Sequence, residues 1–246
     1  CCQFLDHDIR FRTATHRYVS GLAPDERRAY LADIVRANAA ALLAAVEACA
    51  SMGIGAFRIN SQVAPLATHP ASGYRLEDLD DDGAIVAAYR AAGERARALD
   101  IRLSFHPDQF VVLNSEREDV VRSSVDELEM QASLARLVGA DVICLHGGGV
   151  AGGMDAARER LERGIARLSD DARARLALEN DDRSFAPRDL APLCVATGVP
   201  MIYDAHHHRC HPDGLAVDEA TELAAGTWRA REPYFHLCLL YTSDAA

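Results

Sequence analysis

Short apolar runs alternate with helix-patterned stretches along most of this chain, and nearly every run ends in a residue able to ligate a metal. The runs are Ala56–Ile59 before Asn60-Ser61, Ile101–Phe105 before His106, and Asp141–Leu145 before His146. Arg175–Leu178 precedes Glu179, Met201–Tyr203 precedes Asp204 and the histidines His206, His207 and His208, and Tyr234–Leu239 surrounds His236. Helical spacing fills the intervals at about 24–51, 83–99, 120–138, 154–168, 187–196 and 217–224. In the first of these, Leu31, Ile34, Val35, Leu42, Leu43 and Val46 mark the apolar positions. Pro24 suits its first turn, and Met52-Gly53 supplies a stop. Strict alternation of this kind specifies parallel β/α architecture. A doubly wound sheet collects its ligand groups at one switch point, whereas the C-terminal rim of a barrel surrounds one site with every strand end. The expected fold is therefore a (β/α)8 TIM barrel, with the 246 residues forming a single domain.

A hydrophobic share of 49% excludes a disordered chain. No apolar run approaches the roughly 20 residues of a membrane span, and residues 1–12 are too polar for a signal peptide. The 7 cysteines are scattered, odd in number and without CxxC spacing, as expected of reduced thiols in a cytoplasmic protein. Every basic residue is arginine, and the net charge of −11 argues against nonspecific coating of nucleic acid. A nuclease is still allowed, because carboxylates that bind cations are neutralised in the site.

The strand ends and the loop at His69 supply His69, His106, His146, Glu179, Asp204, His207 and His236. A lone histidine is more often a surface or satisfied residue than a ligand. Recurrence at one topological position changes that reading, since carboxylates and imidazoles gathered at one rim need cations to offset repulsion and lost solvation. Two or three divalent metals would do so, with Glu179 bridging a pair. Such clusters activate water and stabilise a leaving oxygen in phosphodiester cleavage. Gly147-Gly148-Gly149 has two readings, a phosphate cradle of exposed amides or a tight loop without a ligand. Asp181 and Asp182 suit a plain role, carboxylates at the start of a helix.

Five segments together resemble the UV damage endonuclease family: FRINS at 57–61 with His69, SFHPDQF at 104–110, LHGGG at 145–149, LENDD at 178–182 and YDAHHHR at 203–209. Their order and spacing match over about residues 10–239. The resemblance implies a metal-dependent repair enzyme of the endonuclease IV-like barrel group. Such an enzyme acts on UV-damaged double-stranded DNA, nicks the backbone 5′ to the photoproduct, leaves a 3′-hydroxyl and favours Mn2+. By motif it makes His106, His146, Glu179, Asp204, His207 and His236 ligands, with Glu179 and His69 catalytic and His69 near the scissile phosphate. It also makes Gln109 and Phe110 a probe that enters the DNA stack. An amide beside an aromatic ring on a rim loop suits such a wedge, although Phe110 could instead pack locally with Val111, Val112 and Leu113. Arg58 is a candidate phosphate contact or a solvated arginine. No membrane association or obligate protein partner is implied, and the expected location is cytoplasmic, with the nucleoid as workplace.

The chain departs from the family at both ends. It lacks a recognisable first strand and the family's last ligand-bearing segment, so the barrel is expected without its first and last strands. Residues from about 238 are expected to be foreign to the fold. The family's lysine two residues before the histidine matched by His236 is Tyr234 here. Two other readings remain open on the residues alone: a sugar isomerase or epimerase of the same barrel group, and a noncatalytic metal-binding fragment that folds poorly.

Overall fold

The computed structural model describes residues 8–229 and 231–237. The chain divides into two compact units, one running to His106 and including Met130–Val142, the other formed by Pro107–Glu129 and the residues from Ile143 onward. The tail from Cys238, and with it the expectation of foreign sequence there, lies outside the described residues.

In the first unit a short helix α1 (His16–Val19) precedes the long α2 (Pro24–Ser51). Pro24 occupies the first turn of α2, where its missing N–H costs nothing, and the Glu26 carboxylate accepts the Ala23 N–H at 3.1 Å. Gly53, at φ +70°, ends the helix as expected. By length and composition α2 does pass as a membrane span, contrary to the expectation that no apolar run approaches that length; half of its most apolar stretch is buried here. Its buried positions Leu31, Ile34, Val35, Leu42 and Val46 recur at helical spacing. They pack against α3 (Ala84–Ala98) through Ile85, Tyr89, Ala92 and Ala96. The buried Asn38 donates to the carbonyls of Arg12 and Val63, and Tyr89 Oη donates to Val63. These bonds make α2 a core helix of this unit.

Strands β1 (Ala56–Asn60) and β2 (Arg102–His106) pair in parallel, with Asn60 opposite His106. On β1 burial alternates: Phe57 and Ile59 are buried while Ala56, Arg58 and Asn60 are exposed. Successive strand residues face opposite ways, so one face of β1 is covered and the other is open. Helix α4 (Glu118–Val138) and strand β3 (Val142–His146) follow.

In the second unit β3 is followed by α5 (Met154–Ile165), the short α6 (Asp170–Arg175), β4 (Leu176–Glu179), α7 (Pro187–Thr197) and β5 (Met201–Asp204). Then come α8 (Ala205–Cys210), α9 (Val217–Ala225) and β6 (Phe235–His236). These strands pair in parallel: His146 lies opposite Glu179, Glu179 opposite Ile202, and Asp204 opposite His236. Strands β4 and β5 are buried along their whole length. Both faces must then be apolar, as LAL and MIY are, and this is the mark of a parallel sheet covered by helices. The Trp228 indole after α9 closes the far end of β5 by donating to the Met201 carbonyl at 2.6 Å.

The alternation read from sequence is thus present element by element. Among the described residues, the helices α1, α6 and α8 were not anticipated; each is six residues or shorter. Asp181 does not open a helix. Its carboxylate accepts the N–H groups of Arg183, Ser184 and Phe185, folding the loop ahead of α7 in place of the expected helix start.

Candidate metal centre

Glu179 ends β4 with only 1% of its surface exposed, although its carboxylate is a charged group. Burial of that kind demands partners, and the register supplies them. His146 Nε2 lies 3.7 Å from Oε2, His236 Nδ1 lies 2.6 Å from Oε1, and His207 Nδ1 lies 3.7 Å from Oε1. The Cys144 thiol, two residues before His146 and on the same strand face, donates to Oε2 at 2.8 Å.

Asp204 ends β5 and divides its carboxylate between two tasks. Oδ1 accepts the N–H groups of His206 and His207 at 2.8 and 2.9 Å, capping α8. Oδ2 lies 3.9 Å from Nδ1 of both His207 and His236. Glu179, Asp204 and His207 each place a donor atom within 4.8 Å of the others, as do Cys144, Glu179 and His236.

Asn180, fully buried, joins these groups. Its side chain donates to the Asp204 carbonyl and accepts the Asp204 N–H, at 3.0 and 2.8 Å. Its own carbonyl lies 2.9 Å from His207 Nδ1. A carbonyl only accepts, so the proton sits on Nδ1 and the Nε2 lone pair is left for a ligand. This is the usual support of a metal-bound histidine. The donor set therefore fits divalent cations: imidazole nitrogens and buried carboxylate oxygens.

The run of three histidines separates on α8. His207 faces Glu179. His208 is buried, bonded through Nδ1 to Tyr203 Oη and through Nε2 to Asp213 Oδ1, both at 2.9 Å. His206 accepts from Arg209 at 3.2 Å near the surface. Burial raises the Tyr203 phenol above its ordinary range. Burial also pushes the Asp213 carboxyl up, but the N–H groups of Arg188 and Leu215 and the His208 imidazole more than offset this, leaving it lowered. Tyr234, at the family's lysine position, sets its ring edge-on to His236 with centroids 5.2 Å apart.

The glycine run reads as a tight loop. A Cβ on Gly147 would lie 2.6 Å from the Phe185 ring, and one on Gly148, at φ +83°, would meet Asn114 Oδ1 at 2.2 Å. The Asn114 amide meanwhile donates to the Gly149 carbonyl at 2.7 Å.

The turn after Pro107 carries the candidate probe. The Val111 N–H donates to the Asp108 carbonyl at 2.9 Å and the Phe110 N–H to the Asp108 carboxylate at 3.2 Å. Gln109 and Phe110 stand at its tip, and Phe110 is 76% exposed, so it does not pack with its apolar neighbours.

In the first unit His106 is half-buried at the end of β2, and Arg58 is exposed on β1. His69 lies in the loop before α3, where Nδ1 accepts the Ala71 N–H at 3.2 Å. The His16 ring stacks on it at 4.2 Å and is itself held by the buried Ser72 hydroxyl at 2.6 Å. Sequence reasoning missed Asn180, Cys144, His16 and the Tyr203–His208–Asp213 chain. Only Asn180 carried a signal, as the amide beside the glutamate in LENDD.

Parallel β/α architecture with a buried carboxylate–imidazole cluster at its strand ends, able to hold a metal, is that of an enzyme of the barrel class. Endonuclease IV from Thermus thermophilus shares the fold, with a TM-score of 0.54 at 22% identity over 76% of this chain and 66% of that one. The family model described as UV-endonuclease UvdE matches residues 3–240. A UV DNA damage endonuclease of Deinococcus radiodurans is 36% identical over 94% of this chain and 76% of its own length. The solved structure of SacUVDE matches with a TM-score of 0.83 at 30% identity, over 94% of this chain and 76% of that one. The chain belongs to the UV-endonuclease UvdE family, a family of DNA repair endonucleases, and the sugar isomerase reading falls away.

Proposed function

We propose that this chain is a divalent-metal-dependent endonuclease that nicks double-stranded DNA 5′ to UV photoproducts, leaving a 3′-hydroxyl, with Mn2+ as its preferred cation. The observation that carries the reading is Glu179, buried at 1% exposure among His146, His207 and His236.

His146, Glu179, Asp204, His207 and His236 would hold the cations, two or three in number; for His106 the ligand role comes from the family resemblance. When bound, divalent cations activate water and stabilise charge on the phosphate oxygens. The protein's own groups do the rest. Asn180 fixes the backbone of Asp204 and the ring of His207, so those two donors need little reorganisation. His69 accepts a hydrogen bond at Nδ1, so its proton sits on Nε2 and is available to a phosphate oxygen. Arg58, exposed on β1, supplies charge for a phosphate contact. Gln109 and Phe110 enter the stack at the lesion, where damaged bases are already poorly stacked and cost least to displace. The reaction takes place on cytoplasmic, nucleoid DNA.

The test is nicking of supercoiled plasmid, UV-irradiated against untreated, with Mn2+ and with chelator. Nicking confined to irradiated plasmid with Mn2+ is expected, and none in Glu179→Ala. Unchanged nicking in Glu179→Ala would sink the assignment.

A further inference from the structure

Cys144 takes no part in the chemistry proposed above, yet it faces the most buried carboxylate of the centre. It lies on β3 with 1% of its surface exposed, one pleat behind His146 on the same face. A buried free cysteine ordinarily behaves as a small hydrophobe among hydrocarbon. Here the Sγ atom sits 2.8 Å from Glu179 Oε2, while His236 Nδ1 holds Oε1 at 2.6 Å. One donor atom from each of the three lies within 4.8 Å of the others.

We propose that Cys144, Glu179 and His236 form a thiophilic metal position, taking Zn2+ or Co2+ in preference to Mn2+. The inference rests on the metal-centre reading of Glu179 and His236 and adds to it a sulfur donor and a selectivity. Ligand softness supports it: carboxylate and water suit Mn2+, whereas thiolate with imidazole selects Zn2+ and its neighbours. Geometry supports it too. The thiol already points at a carboxylate oxygen that a cation would share, and the third donor is an imidazole on the other oxygen of that carboxylate. On binding, the S–H bond breaks and a sulfur–metal bond forms. The thiol proton passes to the buffer, the His236 proton shifts from Nδ1 to Nε2 to free the Nδ1 lone pair, Glu179 exchanges both hydrogen bonds for the cation, and no electrons are transferred. The consequence is a protein whose metal content follows the supply of thiophilic cations, with Mn2+ displaced from this one position.

The experiment is titration of the metal-free protein with Co2+, followed by absorption. The expected result is a near-ultraviolet thiolate-to-cobalt charge-transfer band alongside the visible ligand-field bands. Cys144→Ser should lose the first and keep the second, and Cys210→Ser, at an exposed thiol, should keep both. Zn2+ should abolish the charge-transfer band at stoichiometric amounts, and Mn2+ should not. X-ray absorption of the zinc-loaded wild type, which needs no variant, should show one sulfur at about 2.3 Å. Ligand-field bands without a charge-transfer band, or a shell of nitrogen and oxygen only, would overturn the proposal and leave Cys144 a hydrogen-bond donor in a standing metal centre. Absence of any cobalt binding would overturn both.

Discussion

The end of β4 and the turn Asp108–Val111 are opposites in construction. Glu179 and Asn180 are almost wholly buried, and between them bond to Cys144, His236, Asp204 and His207. Gln109 and Phe110 are exposed, and the Asp108 carboxylate holds the Phe110 backbone N–H. The first arrangement gives up solvation to hold charged donors in one geometry, which chemistry on a phosphodiester needs. The second leaves an aromatic ring in water, where it gains only by finding a stacking partner. The proposed catalytic and recognition parts of one unit are thus built to opposite rules, and substitutions should divide the same way.

The sharpest break is Glu179→Ala, expected to remove bound metal and lower nicking of irradiated plasmid by more than about 100-fold, beyond what loss of an outer hydrogen-bond partner costs. Metal analysis and nicking should fall together. Next comes Asn180→Ala, which touches no cation itself. It is expected to weaken metal affinity about 10- to 100-fold by freeing Asp204; calorimetric titration with Mn2+ checks this, and wild-type affinity would refute the positioning role. Phe110→Ala should act on the other side of the comparison, costing about 1–3 kcal/mol in binding irradiated duplex with metal content unchanged. Its effect on stability should stay within about 0.5 kcal/mol, and a lowered melting temperature would show that the exposed ring packs after all. Tyr203→Phe removes one hydrogen bond to His208 and should cost about 1 kcal/mol of stability in a denaturant melt, with nicking nearly intact. The smallest effect concerns pH. The Asp213 carboxyl, lowered in the folded state, contributes stability above its unfolded pKa of about 3.9 and loses it as pH falls through the folded value. Asp213→Asn should flatten the acid limb of the stability curve, and an unchanged limb would assign it elsewhere.

Most of the fold was legible because its signal is periodic. The apolar spacing of α2, and the runs that become β2 to β5, survive in sequence whatever packs on them. The short α8 was not legible, since AHHHRC has no apolar period and the helix is started by the Asp204 carboxylate. Strand-end donors were visible as residue types, but their partners were not. Neither the link from Asn180 to His207 nor the Cys144 contact with Glu179 has any sequence spacing to betray it, because each joins neighbouring strand ends far apart in the chain. The glycine run was ambiguous for the same reason: Phe185 and Asn114, which fill the space beside it, lie about thirty-five residues away on either side.

The double duty of Asp204 bears on how such a protein can change over generations. Alanine at this position would remove a donor and untether the helix that carries His207, so one mutation would inflict two losses. Asparagine would keep the cap and surrender only the charge. On the proposed metal role, a lineage drifting away from metal chemistry therefore has a gentler first step at this residue in asparagine than in alanine.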